Sequence, residues 1–169
     1  MYSIRAAHPR DFAALPFIEQ AAGTMYLQTR YRDLAFGPNV SEHIELGDRV
    51  WVALLDESIV AFAIAKIFSD IIHIHELDVH PGHARRGLGR ALITHIAHWA
   101  RNRASTALTL TTFADVPWNA PYYKRLGFAV VETRALPPHL KTILKAEADA
   151  GFEMAYRVAM RRAIADGML

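Results

Sequence analysis

Residues 71–100 read IIHIHELDVHPGHARRGLGRALITHIAHWA, and the periodicity changes in the middle of that stretch. From Ile71 to Val79 the residues alternate, so His73, His75, Leu77 and Val79 share one face of a strand. Ile72, Ile74, Glu76 and Asp78 share the other. From Leu88 the apolar residues Leu88, Leu92, Ile96 and Trp99 recur at helical spacing. Between the two lie Pro81, Gly87 and Gly89, with Arg85, Arg86 and Arg90 beside them. A strand, a tight glycine-bearing turn and a helix in succession commit the chain to an α/β architecture.

The flanking sequence extends that unit. Ile4–Ala6 is a short first strand. His8-Pro9-Arg10-Asp11 starts a helix with Asp11 at the N-cap, and Phe12, Leu15, Ile18 and Ala22 follow at helical spacing. Pro16 bends this helix or moves its true start. A second helix is expected over 24–34, ended by the Phe36-Gly37-Pro38-Asn39 break. VWVALL at 50–55 and IVAFAIAKIF at 59–68 read as strands joined through Asp56-Glu57-Ser58. Beyond residue 100 the chain reads as a strand at 107–113, a short helix closed by Gly127, a strand at 128–133, a helix over 138–150 and a closing strand at 155–163. The expectation is a mixed sheet with helices, built from one domain over residues 1–169.

Composition narrows the chemistry. There is no cysteine, which excludes disulfides, thiolate metal sites and a cysteine nucleophile. Net charge is only +2, too little for a nucleic-acid face. No apolar run has the roughly 18 residues of a membrane span. The first residues, MYSIRAAHPRDF, lack the apolar core of a signal peptide, so the expected location is the cytoplasm.

The glycine turn suits an anion. The first N–H groups of a helix have no partner within it, and the helix dipole places partial positive charge there. Gly87 and Gly89 let backbone approach a phosphate closely, and three arginines add charge. The Gly-Lys-Ser/Thr ending of a Walker loop and the third glycine of a Rossmann fingerprint are both missing. A diphosphate cradle and a plain turn with solvated arginines are the two readings this stretch leaves open.

Two landmarks in order point further. The first is Leu77-Asp78-Val79-His80-Pro81 followed by Ala84-Arg85-Arg86-Gly87-Leu88-Gly89. The second is Tyr123-Lys124-Arg125-Leu126-Gly127-Phe128. Together they resemble the GNAT superfamily of acyl-CoA-dependent N-acyltransferases, whose pattern is Val-x-Pro, then Arg/Gln-x-x-Gly-x-Gly/Ala before a helix, and a later Tyr-x-x-x-Gly-Phe. The resemblance runs over about residues 3–162. It implies a mixed, mostly antiparallel central sheet flanked by helices. It also implies acetyl-CoA as cosubstrate, no metal, and acetyl transfer to a primary amine by direct attack in a ternary complex. The alternative is a non-catalytic acyl-CoA-binding regulatory module on the same fold.

The resemblance also implies site residues. Ala84, Arg85, Arg86, Gly87, Gly89 and Arg90 would hold the diphosphate, mostly through backbone N–H groups. Ala84 departs from the pattern's Arg/Gln, and Arg85 or Arg86 could supply the missing charge. Leu77 and Val79 would offer main-chain groups to the pantetheine arm and the acyl carbonyl, where the strand at 71–79 splays from the one at 107–113. An unpaired backbone N–H there is an oxyanion donor. Tyr123 would be the general acid for the departing thiolate, since a phenol with an ordinary pKa of about 10 keeps its proton at neutral pH. Its alternative is a packed tyrosine. Tyr122 lies about 100° round the helix and points elsewhere.

Glu76, three residues before Val79, is the candidate general base, with a solvated or salt-bridged strand residue as the alternative. Asp78 shares its face, and a carboxylate pair there would raise one pKa. His73 and His75 lie opposite and read as packing residues. Asn119 precedes Tyr123 by fewer residues than the family's pantetheine-bonding asparagine, so a helix N-cap is the equal reading. The acceptor pocket is expected from Met25, Tyr26, Tyr31 and Phe36, with Glu19, Asp33 or Glu42 for a cationic amine. The acceptor itself, a small molecule or a protein or peptide amine, is not readable. No nucleic-acid or membrane partner is expected, and a homodimer is compatible with a chain of this size.

Overall fold

The computed structural model describes residues 2–33, 44 and 47–164. Among them the elements are β1 Tyr2–Ala6, α1 Leu15–Gly23, β2 Arg49–Leu55, β3 Ser58–Phe68, β4 Ile71–Val79, α2 Leu88–Arg101, β5 Ala107–Phe113, α3 Ala120–Arg125, β6 Ala129–Val130, α4 Pro138–Asp149 and β7 Arg157–Ala163. The strands form one mixed sheet in the order β1-β2-β3-β4-β5-β7-β6. The pair β4–β5 is parallel, whereas β1–β2, β2–β3, β5–β7 and β6–β7 are antiparallel. This is the mixed, mostly antiparallel sheet with flanking helices that the two landmarks imply.

The chain folds as two compact units. One comprises Met1–Lys66 with Ile74–His98, and the other Ile67–His73 with Trp99–Leu169. In the first unit, α1 buries Leu15 and Ile18 against Val50 and Val52 of β2 and Phe62 and Ile64 of β3. Each such side chain removed from water contributes roughly 1.5–3 kcal/mol. The β2–β3 hairpin turns at Asp56 and Glu57, whose φ of 47° and 67° match the two-residue turn that suits twisted strands. Ser58, expected in the turn, already pairs with Leu55.

In the second unit β5 pairs with β7 over its whole length, from Ala107↔Ala163 to Phe113↔Arg157. Arg157 of β7 donates to both carboxylate oxygens of Glu147 on α4, at 2.6 and 3.0 Å, and to Thr111 Oγ1 at 3.3 Å. Its guanidinium lies between two rings, 4.7 Å from the centroid of Phe113 and 4.9 Å from that of Phe152.

Three local expectations are corrected. Asp11 is not the N-cap. The cap is His8, a 3-10 segment runs over Pro9–Ala14, and α1 proper begins at Leu15 with Pro16 in its first turn. Asp11 instead accepts the His8 N–H at 2.6 Å and binds Arg5 through both oxygens, at 2.6 and 3.1 Å. The helix expected from Thr24 is one 3-10 turn, Thr24–Tyr26, followed by turns to Asp33. Hydroxyls compete there for backbone groups: Thr29 Oγ1 donates to Tyr26 O at 2.7 Å and accepts from Tyr31 N at 3.0 Å. The strand expected at 128–133 pairs only over Ala129–Val130, because a sheet-edge strand has a ladder on one side only and Thr133–Ala135 turns away. Residues 34–43, with Phe36 and Glu42, lie outside the described residues.

Asp11 carries a pH signature. Hydrogen bonding from Arg5 pulls its carboxyl down to about 2, with the His8 N–H helping and burial opposing. A folded-state value below the unfolded one means stability that is present above the unfolded carboxylate range and is lost as pH falls through about 2. Asp11→Asn should lower Tm at pH 7 by roughly 2–4 °C, equivalent to about 1 kcal/mol in a chain of this size. It should also flatten the acid limb of a Tm–pH curve between about pH 4 and 2. An unchanged acid limb would remove Asp11 as its source.

Candidate active site

The site begins where β4 ends. Its ladder with β5 covers only Ile71↔Ala107, Ile72↔Leu108 and His73↔Thr109, so Ile74–Val79 take no part in it. Leu77 and Val79, whose main-chain groups the resemblance assigns to the cosubstrate, lie in this stretch.

After Val79 the chain is tied down at once. His80 N donates to Val60 O on β3 at 2.9 Å. His80 Nδ1 accepts from Gly82 N at 3.1 Å, the His80 and His83 rings meet edge to face at 5.8 Å, and Pro81–His83 form a 3-10 turn. The loop then needs two residues in the left-handed region, Arg85 at φ 60° and Gly87 at φ 81°. The first i→i−4 bond of α2 runs from Ala91 N to Gly87 O at 2.9 Å. Ahead of it, the N–H groups of Leu88, Gly89 and Arg90 have no carbonyl one turn earlier in the helix. A Cβ built on Gly87 meets nothing within 4 Å, so the space beside this glycine is open. Arg85, Arg86 and Arg90 are exposed, Ala84 is half-buried and Gly89 is buried. Donors, open space and cations fit a diphosphate. A groove of about 530 Å³ starts at Gly87 and runs between α2 and β1, lined by Arg90, Thr94, His95, His98, Tyr2 and Ile4 among others. The carboxylates of β4 are not in its lining.

Those carboxylates form a coupled pair. Glu76 and Asp78, two apart on one face of β4, are both half-buried and hydrogen-bonded to each other. Burial is the main force pushing Glu76 up to about 9, aided by the charges of Asp78 and of Glu19 on α1 and by its hydrogen bond to Asp78. Burial also pushes Asp78 up, to about 7, with Glu19 adding and the hydrogen bond from Glu76 opposing. Burial and mutual repulsion thus raise both carboxyls and favour a proton kept on the pair. Sequence alternation put the two on one face; Glu19, read only as an option for a cationic amine, acts on the same pair.

The second unit holds Tyr123 and Asn119. Asn119 precedes α3, is 8 % exposed and makes no side-chain cap bond to the helix, although its carbonyl accepts Tyr123 N at 3.0 Å. Helix capping through its side chain is therefore not what holds it. Tyr123 is half-buried, with its ring edge-on to Phe128 at 5.8 Å and to Tyr122 at 5.4 Å. Gly127, at φ 86°, closes the helix, with Phe128 N donating to Tyr123 O at 3.1 Å.

Other expected residues fall as follows. Tyr31 is 5 % exposed and belongs to the core, Met25 and Tyr26 are half-buried in the 3-10 turn, and exposed Asp33 lies 3.7 Å from Arg32. His73 packs inside the second unit, as expected, with Nδ1 3.1 Å from Thr109 Oγ1, which is 3.3 Å from His139 Nε2. That relay, like the Arg157 cluster, had no sequence signal, since its members come from separate elements. Among the described residues no group of three His, Asp or Glu is arranged for a metal, and no helix is long and apolar enough to cross a membrane.

A family model described as the acetyltransferase (GNAT) family matches residues 12–128. Over 99 residues the chain is 33 % identical to a streptothricin acetyltransferase of Streptomyces lavendulae, covering 55 % of this chain and 51 % of that protein. The match thus spans about half the length of that relative. The fold resembles the ribosomal-protein-S18-alanine N-acetyltransferase of Escherichia coli, with a TM-score of 0.70, 20 % identity, and 99 % and 97 % of the two chains covered. It also resembles the PaiA N-acetyltransferase of Thermoplasma acidophilum, solved with coenzyme A, with a TM-score of 0.68, 13 % identity, and 96 % and 99 % covered.

Proposed function

The chain belongs to the acetyltransferase (GNAT) family, and we propose that it moves an acetyl group from acetyl-CoA to a primary amine by direct attack in a ternary complex. The observation that carries this reading is the continuity of β4, loop and α2. A proton-holding carboxylate pair stands at the end of the strand, and an open, donor-rich turn follows it directly. Acetyl-CoA bound at that turn supplies an acyl thioester. The N–H groups of Leu88, Gly89 and Arg90 bind its diphosphate with Arg85, Arg86 and Arg90, and Ala84 leaves that task to backbone. Main-chain groups of Leu77 and Val79 orient the pantetheine arm, with Asn119 as a further contact. The carboxylates that include Glu76 take a proton from the amine, and Tyr123 gives one to the leaving sulfur. Glu76, the candidate base, stands in this pair with Asp78, which shares its face of β4.

The test is thiol release from acetyl-CoA across a panel of amines, streptothricin included because of the relative above, with calorimetric binding of acetyl-CoA on the same sample. Acceptor-dependent release supports the transferase. Binding without release for any amine favours the non-catalytic acyl-CoA module, and no binding removes both.

Gly87→Val tests the cradle. Its φ of 81° costs a non-glycine residue about 1–2 kcal/mol, while an added Cβ meets nothing within 4 Å, so the substitution brings backbone strain without a Cβ clash. The branched side chain fills the open mouth instead. Acetyl-CoA affinity should fall at least about tenfold, equal to 1.4 kcal/mol, in the same calorimetry. Unaltered affinity would mean that the diphosphate binds elsewhere.

A further inference from the structure

We propose that the groove between α2 and β1 is a second anion site, which takes a phosphate monoester carried on a ring, such as a nucleoside phosphate. This goes beyond the acetyltransferase reading, which asks only for a diphosphate at the turn before α2.

The groove lies within the first unit, and its volume is about 530 Å³. That is the ordinary size of a small-ligand site, and a lone inorganic ion would leave most of it empty. One wall is a stripe of α2. Arg90, Thr94 and His98 stand four residues apart on it, all exposed. Side chains at that spacing have Cβ atoms about 5–6 Å apart, so the longer Arg90 and His98 close on Thr94 from either side. Among the described residues, no hydrogen bond or ion pair engages any of these three side chains. The other wall is β1, where Tyr2 and Ile4 share a face.

The charge of this lining has one sign. Arg90 is a permanent cation, and no carboxylate lines the groove. His95 adds a donor rather than a charge. Burial, with His98 beside it, pushes its imidazole below the ordinary histidine range, so at neutral pH it carries a single N–H. Its ring is edge-on to Trp51 of β2, with centroids 6.2 Å apart, on the side of the core. An ammonium finds only repulsion here, and an anion finds a cation, two hydroxyls and two imidazoles. A phosphate monoester answers that set best. It has three terminal oxygens and about −1.5 to −2 charges at pH 7. The apolar surfaces of Ile4 and Ala91, with the Tyr2 ring, suit the faces of an attached ring. Thr94, His95 and His98 lie beyond the first turn of α2, where the effect of its opening N–H groups has faded. The site therefore does not borrow the donors of the diphosphate cradle, although Gly87 and Arg90 make the two adjoin.

Two sources offer this chemistry: a free nucleotide, and the phosphate monoester at the far end of coenzyme A itself. Calorimetry on the full chain tests the site, with adenosine 3′-monophosphate as the probe. The variant is Thr94→Val with His98→Ala, two exposed helix positions, and His98→Ala alone serves if thermal melting shows the pair disturbed. Wild type should bind the nucleotide at least about tenfold more tightly than it binds adenosine, and at least about tenfold more tightly than the variant does. Titrations with coenzyme A and dephospho-coenzyme A separate the sources. If the cosubstrate's own phosphate fills the groove, wild type prefers coenzyme A by at least about tenfold, the variant loses that preference, and the nucleotide competes. If a separate nucleotide fills it, the two forms bind alike and the nucleotide still binds when dephospho-coenzyme A is saturating.

The proposal is overturned if wild type neither binds the nucleotide nor prefers coenzyme A. It is equally overturned if the variant keeps whatever binding or preference wild type shows. If neither form of coenzyme A binds, the acetyltransferase reading has failed, while the nucleotide titration still decides the groove.

Discussion

Tyr123→Phe is expected to lower kcat by about 100-fold while acetyl-CoA affinity stays within about twofold. The substitution removes only Oη. The ring remains, and so does its edge-on packing against Phe128 at 5.8 Å. The helix closure does not depend on the hydroxyl either, because Phe128 N bonds the Tyr123 carbonyl and Gly127 supplies the left-handed turn. Any large effect must therefore come from the lost proton donor rather than from a disturbed α3. A positioned general acid contributes about 10²–10⁴ in rate, and the lower end applies when water can partly replace it. Single-turnover rates with saturating acetyl-CoA and amine measure the effect, and calorimetry measures affinity. Tyr122→Phe is the control, since the Tyr122 ring faces Arg125, 5.9 Å away. An undiminished kcat for Tyr123→Phe would take this tyrosine out of the reaction and leave the thiolate to solvent.

Glu147→Ala is expected to destabilise the fold by about 3 kcal/mol, which lowers Tm by roughly 6–12 °C in a chain of this size. The side chains of Arg157 and Glu147 are 9 % and 17 % exposed, so neither is well screened by water. Removing the carboxylate leaves a guanidinium wedged between Phe113 and Phe152, with Thr111 as its remaining described hydrogen-bond partner. Replacing both members is predicted to cost less than removing one, because an uncompensated buried charge is worse than an apolar substitute. Arg157→Met with Glu147→Leu should therefore recover part of the loss. Urea melts of the two single variants and the double variant complete the cycle. A loss under 1 kcal/mol for Glu147→Ala would show that water reaches the guanidinium and that the cluster is only a surface pair.

The two expectations sit on different footings. Tyr123 was singled out through the family resemblance carried by the segment Tyr123 to Phe128, and its place before the helix-closing Gly127 is a local property of that segment. Arg157 and Glu147 were invisible, since β7 and α4 meet only after folding and neither residue stands in a recognisable spacing.

Elsewhere the same division recurs. The nine residues from Ile71 to Val79 and the seven from Ala107 to Phe113 became strands with the predicted bounds, and α2 began at Leu88. Each has a strong period and a clear break at its end, and both are properties of neighbouring residues. Phe128–Thr133 had the β-branched composition of a strand but sits at the sheet edge, where the ladder covers only Ala129 and Val130 and Val131 N adds one bond to Ala159 O. Thr24 to Asp33 had helical spacing, yet threonine hydroxyls took the backbone groups that a helix needs. Asp11 looked like an N-cap until Arg5 on β1 and the His8 N–H claimed it at N3.

The site shows the boundary most clearly. The sequence by itself determined that Glu76 and Asp78 share a face, that a glycine turn follows them and that a helix opens beyond it, because strand alternation and turn chemistry act over a few residues. That both carboxyls are pushed up was decided by tertiary structure alone. That outcome depends on how much water the fold excludes and on Glu19 being brought from α1 to the same pair, and charge in a poorly solvated place responds to every neighbour, however distant in the chain.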